Sequence, residues 1–139
     1  MYLNKAMVYG NLTRDPEKRA LPSGIAVTTF SVATNRVWKD RDGARQESTD
    51  YHNIVVFGRQ AETVAQYLRK GSPAFVEGRM QTRSWDAEGT KKYRTEIVGS
   101  NEQIRIWIKD KYKPVFLEII FKEQDVEFEQ AENLAPYPY

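Results

Sequence analysis

The stretch from Asp50 to Trp85, DYHNIVVFGRQAETVAQYLRKGSPAFVEGRMQTRSW, reads as strand, helix and strand in quick succession. Asp50–Phe57 alternates: Tyr51, Asn53, Val55 and Phe57 lie on one face and His52, Ile54 and Val56 on the other. Gly58 ends the run. Gln60–Lys70 then carries Ala61, Val64, Ala65 and Leu68 at i, i+3, i+4 and i+7, one face of a helix. Gly71 stands where a left-handed helix stop is expected, just after Arg69 and Lys70. A second apolar run, Pro73–Val76, leads through Gly78 into Arg79–Trp85. A strand, a short helix and a returning strand suit a small Greek-key barrel whose bottom the helix plugs.

The rest of the chain supplies the other strands. Asn4–Leu12 reads as the first, with Ala6 and Val8 on one face and Met7 and Tyr9 on the other. Thr13–Glu17 is a turn, because Pro16 restricts Asp15 and removes a donor. Pro22-Ser23-Gly24 is another. Ala26–Thr34, rich in Val, Thr and Phe, is a strand that Asn35–Trp38 extends to the base of a long hairpin. Its loop, Lys39–Arg45, contains the turn pair Asp42-Gly43 and is too polar for a core. A second polar hairpin spans Trp85–Lys92. Lys92–Val98 returns with Tyr93, Thr95 and Ile97 on one face, and Gly99-Ser100-Asn101 is expected to break or bulge it. Gln103–Lys109 alternates Ile104, Ile106 and Ile108 with Arg105, Trp107 and Lys109. The expected class is therefore all-β: a five-stranded Greek-key barrel with one short α-helix between strands.

Lys109–Pro114 reads as a short basic linker, and Val115–Phe121, VFLEIIF, as a strand that would aggregate if exposed and flat. It must pack on the barrel, pair at an edge or be buried between subunits. The chain thus divides into a domain over residues 1–110 and an atypical C-terminal segment over 111–139, an apolar run followed by an acidic tail.

Composition narrows the class of protein. At 139 residues, the chain has room for one domain with a modest core and a tail. Hydrophobic content of 40% is ordinary for a soluble domain, and a barrel this small gains from oligomerisation. There is no cysteine, hence no disulfide framework or thiol chemistry, which fits a reducing compartment. No secretory signal or membrane-length apolar run stands out, so a cytoplasmic protein is the default expectation. The net charge of +2 hides a division. Residues 117–139 carry six carboxylates against Lys122 alone, and residues 1–116 hold 20 Lys and Arg against 13 Asp and Glu. A basic body with an acidic tail suits a polyanion binder with a competing or recruiting tail. A short acidic tail also serves solubility, and charge alone favours that plainer reading.

No Gly-rich phosphate loop, nucleophile motif or spaced acid pair points to catalysis. One histidine and no cysteine give no metal-ligand pattern, so neither a metal nor another cofactor is expected.

The run from His52 to Trp85 resembles the middle of the bacterial single-stranded DNA-binding (SSB) proteins. YLRKG, VEG and TRSW stand where that family has very similar runs, and NKAMVYGNLTRDPEKR resembles its opening strand and turn. The resemblance covers about residues 3–108 and stops after Lys109, where the family typically continues into a long Gly-, Gln- and Pro-rich linker. It implies an oligonucleotide-binding (OB) fold and sequence-independent binding of single-stranded DNA in replication, recombination and repair. It further implies a nucleoid-associated homotetramer and no enzymatic step.

Such binding needs a cationic groove along the phosphates and exposed aromatic faces on which bases stack. The resemblance implies Trp38, Tyr51, Phe57 and Trp85 as those faces, with Tyr51 where a tryptophan is familiar. Tyr51 and Phe57 share strand parity, and Trp38 and Trp85 flank the polar hairpins. The neighbouring cations are Arg36, Lys39, Arg41, Arg59, Lys70, Arg79, Arg83, Lys91 and Lys92, of which Arg59, Lys70 and Arg83 match basic positions in the family. The first hairpin loop would help to wrap the strand. The resemblance gives His52 a role in subunit association. Trp107 has no clear family counterpart and is expected at an interface or in the core. The family's tails end in acids, a Pro and a terminal Phe that dock on replication and repair proteins. Pro138 and Tyr139 resemble such an end, with Tyr for Phe, and partner hook and plain chain end both stay open. The other readings are a primosomal or RNA-binding OB protein, and an adaptor working through Val115–Tyr139.

Overall fold

The computed structural model describes the backbone of residues 1–100, 104–109, 116–121 and 126–130. Its strands are β1 (Ala6–Leu12), β2 (Glu17–Ala20), β3 (Ala26–Lys39), β4 (Arg45–Phe57), β5 (Pro73–Ala87), β6 (Thr90–Ser100), β7 (Arg105–Lys109), β8 (Phe116–Phe121) and β9 (Val126–Gln130). Helix α1 (Arg59–Tyr67) lies between β4 and β5. The order β1-β3-β4-β6-β5 closes on itself because β1 also pairs with β5. All of these pairings are antiparallel except β4–β6. This is the closed five-stranded OB barrel expected from the sequence, with its helix after the third barrel strand.

Alternation decides what fills it. The even residues of β3 and β4 put Phe30, Val32, Ile54 and Val56 inside, where they meet Ala74 and Val76 of β5, Ile97 of β6 and Ile106 of β7. Helix α1 closes one end with Ala61, Val64 and the following Leu68. Two polar contacts orient it: Thr28 Oγ1 donates to the Ala61 carbonyl at 2.6 Å, and Gln60 Nε2 to the Ile104 carbonyl at 3.1 Å. Each satisfies a group that burial would otherwise leave costly. The opposite end is open, with a cavity of about 360 Å³ whose wall includes Ala6, Val8, His52, Met80 and Ile97.

Several boundaries differ from expectation. The helix ends at Tyr67 rather than Lys70, because Leu68 leaves helical geometry (φ −93°, ψ 145°) while still buried. Gly71, with φ +85°, then turns the chain toward β5 instead of capping the helix directly, and its amide donates to the Leu12 carbonyl. Glu17 opens β2, an exposed four-residue strand on β3 with no apolar alternation to betray it. The first strand starts at Ala6, not Asn4; Asn4 instead pairs its side-chain amide with the backbone of Met80. Gly99 does not break β6. The strand leaves β5 at Val98 and runs on beside β4, with Gly99 opposite Val56 and Ser100 opposite Phe57; Asn101 lies outside the described residues.

From Phe116 to Phe121 the apolar run after the barrel is a strand; Val115 and the linker expected before it, over 110–114, lie outside the described residues. β8 pairs antiparallel with β7, which itself pairs with β5, so edge pairing is how that run is accommodated. The stretch expected to be only an acidic tail contains a further strand, β9, antiparallel to β8. Its register sets Val126 opposite Phe121 and Phe128 opposite Ile119. Trp107 is buried, its ring edge-on to Phe75 at 5.0 Å.

The first hairpin loop is organised by one carboxylate. Asp40 Oδ1 accepts from the amides of Asp42 and Ala44, each at 2.9 Å, and Oδ2 accepts from Gln46 Nε2 at 3.0 Å. The Ala44 amide, then Gln46 and the Asp42 amide, hold its carboxyl below the usual range. Because the folded-state value is depressed, the loop's order is present above the ordinary Asp value and is lost as pH falls through the lower one. The Asp42 and Ala44 amide resonances should therefore keep their positions down to about pH 4 and move only below it. Movement near pH 5 would contradict this.

Candidate nucleic-acid interface

β4 and β6 are parallel and both begin at hairpin tips, so the β3–β4 and β5–β6 hairpins rise as two arms from the same end of the barrel. That end is opposite α1, which follows the far end of β4. The ladders run unbroken to Lys39–Arg45 in the first arm and to Ala87–Thr90 in the second. The second arm closes through Glu88 and Gly89, both at positive φ (53° and 78°), the twist that a two-residue hairpin turn requires. Trp38 and Trp85 therefore stand near the tips of long arms and not at their bases.

Register sorts the candidate residues onto two sides. Tyr51, Asn53, Val55 and Phe57 of β4 share the outer side of the barrel with Glu96 and Val98 of β6. Through β6 that side continues to Arg79, Arg83 and Trp85 of β5 and to Lys92 and Arg94 of β6. Lys39 is on it as well, opposite Arg45. Tyr51, 66% exposed, and Trp85, 42% exposed, present open rings there. Phe57 is half-buried, because it packs on the small outer cluster of Val27, Val55 and Val98. Arg36 and Trp38 fall on the reverse side of the first arm, so Trp38 does not share a surface with Tyr51. Lys91 is likewise on the reverse of the second arm. Arg41 lies in the Asp40–Ala44 loop, Arg59 begins the helix, and Lys70 follows its end, with its amide donating to Asp15 Oδ1. His52 faces the interior side at the open end, its Nε2 2.8 Å from Thr34 Oγ1. Pro138 and Tyr139 lie outside the described residues.

Between Tyr51 and Trp85 is a polar cluster that sequence reading missed. Glu96, 4% exposed, accepts from Arg83 Nε at 2.7 Å and pairs with Arg94 Nε at 3.5 Å. Arg94 also donates to Asn53 Oδ1 at 2.9 Å. One buried carboxylate is thus shared by two arginines, which leaves the cluster cationic and fixes both guanidiniums. Arg83 in turn lies 5.1 Å from the Trp85 ring centroid, a cation–π distance. The cluster spans three strands, so no local motif announces it; the one signal was a glutamate on the alternating face of Lys92–Val98. Arg36 over Trp38 at 5.3 Å and Lys91 over Tyr93 at 5.7 Å repeat the same cation-x-aromatic device.

Chemically, this side offers flat π-faces, fixed guanidiniums and a few amides. It suits planar rings joined by anionic linkers. Among the described residues no group of three His, Cys, Asp or Glu could hold a metal ion, and no helix is long and apolar enough to cross a membrane.

Comparison with known proteins agrees with this chemistry. Residues 3–105 match the model of the single-strand binding protein family. Single-stranded DNA-binding protein 1 of Chlorobaculum tepidum is 48% identical over 104 residues, which cover 73% of this chain and 64% of that protein. A Plasmodium falciparum SSB solved in complex with ssDNA superposes with a TM-score of 0.75 at 36% identity, covering 79% of this chain and 97% of that one. A closed OB barrel, an aromatic and cationic outer side and a match over most of the chain make this protein a member of the single-strand binding protein family.

Proposed function

We propose that this chain binds single-stranded DNA without reading its sequence and protects it during replication, recombination and repair. The observation that carries the reading is the outer side on which Tyr51 and Trp85 stand open, with the Arg83–Glu96–Arg94 cluster between them. Bases stack on the rings, and stacking tolerates any sequence because every base has a π-face. The cations neutralise phosphates. Duplex DNA hides its base faces and cannot use the rings.

The protein acts as a binder with no chemical step and needs no cofactor. Family membership supports a homotetramer of OB domains, with His52 at a subunit contact, working in the cytoplasm on nucleoid DNA. Trp38, Phe57, Arg36, Arg41, Arg59, Lys70 and Lys91 extend the binding surface around the barrel from the outer side. Residues 1–110 form the binding domain, and residues 111–139, ending in Pro138 and Tyr139, offer a segment for replication or repair partners.

Titration with a thymidine oligomer tests this by tryptophan fluorescence at several salt concentrations, with duplex as control. Quenching by the single strand alone is expected. If five of the outer-side cations, Lys39, Arg79, Arg83, Lys92 and Arg94, each meet a phosphate, log K falls with log salt at a slope of about −3.5. Glu96→Gln, nearly isosteric, removes the carboxylate shared by Arg83 and Arg94 and should tighten single-strand binding at low salt. No affinity for single strands at low salt would end the proposal. An RNA oligomer bound more tightly than its DNA counterpart would move the function to RNA.

A further inference from the structure

The reverse sides of the two arms carry a second set of rings. Trp38 with Arg36 is on the reverse of the first arm, and Tyr93 with Lys91 on the reverse of the second, turned away from Trp85. Tyr93 is 65% exposed, more open than Trp85. The residue directly opposite it in the ladder is Ser84, and the next on that side of β5 are Thr82 and Asp86, all too short to cover an aromatic ring. Lys91 Nζ lies 5.7 Å from its centroid, so the ring has one face occupied by a cation, as Trp38 and Trp85 have. The β4–β6 ladder stops at Asn53 and Glu96. Nearer the tips no backbone pairing joins the arms, which part there as two separate ribbons.

We propose that Tyr93, with Lys91, is a further stacking platform for single-stranded DNA, on the reverse of the second arm. A strand engages it after passing between the arms from the outer side, so only a strand longer than the outer side holds reaches it. The inference rests on the function proposed above, and it adds a ring that faces away from Tyr51 and Trp85.

The test compares the full-length protein with its Tyr93→Ala, Tyr93→Phe and Trp85→Ala variants. Affinity is measured for thymidine oligomers of about 6 and about 16 nucleotides, near the two ends of what one such barrel takes. The mass of each free protein is measured by light scattering. Tyr93→Ala is expected to weaken the longer oligomer by about 5- to 150-fold, the worth of one stacked base. It should leave the shorter oligomer and the mass unchanged, and Tyr93→Phe should bind both like the parent. Loss at both lengths would put Tyr93 in the outer track, and a changed mass would make it a subunit contact; either overturns the proposal. Should Trp85→Ala weaken binding while Tyr93→Ala weakens neither oligomer, the platform is refuted and the function stands. If the parent protein binds neither oligomer, the function itself falls and the platform with it.

Discussion

Replacing Tyr51 and Trp85 together by alanine should weaken single-stranded DNA binding by about 2–6 kcal/mol, since each stacked base is worth about 1–3 kcal/mol. The two rings sit on different strand pairs with the Arg83–Glu96–Arg94 cluster between them, so they stack different bases and their losses should nearly add. Both side chains are open to solvent in the free protein, and neither belongs to the core clusters. Their removal should therefore leave the thermal midpoint almost unmoved. That separates this variant from Phe57→Ala, which loses packing on Val27, Val55 and Val98 as well as any stacking and should lower both affinity and stability. Equilibrium titration and a thermal melt on the same samples check the prediction. A double variant that binds like the parent would show that the outer side is not the binding surface. The salt slope should stay near its parent value in the Tyr51/Trp85 variant, because stacking releases no counterions.

The largest stability effect is expected at Gly10. A Cβ there would lie 2.0 Å from the Ala33 carbonyl oxygen and 3.0 Å from both the Ala33 carbonyl carbon and Val32 Cγ1. The first of these is backbone and cannot rotate away. Gly10 pairs with Ala74 of β5, while the next residue, Asn11, pairs with Ala33 of β3 as well as with Pro73. This is where β1 is shared between the two strands that close the barrel, so any relief must open one ladder. Overpacking against movable side chains costs about 1–3 kcal/mol, and Gly10→Ala should exceed that range. Gly43→Ala is the comparison. Gly43 has φ +79° with nothing within 4 Å of the added Cβ, so only the left-handed backbone penalty of about 1–2 kcal/mol applies. Urea midpoints should thus fall slightly for Gly43→Ala and severely, or to no folded protein, for Gly10→Ala. The reverse order would mean that β1 does not close the barrel in the register described.

Local pattern carried most of the fold because each barrel strand is long and half-buried. The period-2 alternation of Asp50–Phe57 assigns Ile54 and Val56 to the interior and Tyr51 to the exterior without reference to any other strand. Helix and hairpins are equally local: apolar spacing on Ala61, Val64 and Leu68, and turn residues at Asp42-Gly43 and Glu88-Gly89. Where alternation was absent or misleading, reading failed. β2 is exposed along its whole length, and β9 alternates inside an acidic stretch whose charge concealed Val126 and Phe128. The helix end was misplaced because Leu68 is at the right spacing but is buried in extended geometry, a decision made by the core and not by the helix.

The candidate site divides in the same way. Sequence by itself determined which rings and cations are candidates, because exposure of Tyr51 and Trp85 follows from residue type and strand position. Which of them share a side of the barrel was decided by tertiary structure alone. Parity within one strand says nothing about how the faces of two hairpins join; that depends on the parallel β4–β6 register, which merges the side of Tyr51 with that of Trp85 and leaves Trp38 and Tyr93 on the reverse. The Glu96 carboxylate pairs with Arg83 across one ladder and Arg94 reaches Asn53 across another. The first contact, 13 residues apart, lies within the β5–β6 hairpin, whereas the second, 41 residues apart, exists only once β4 lies beside β6.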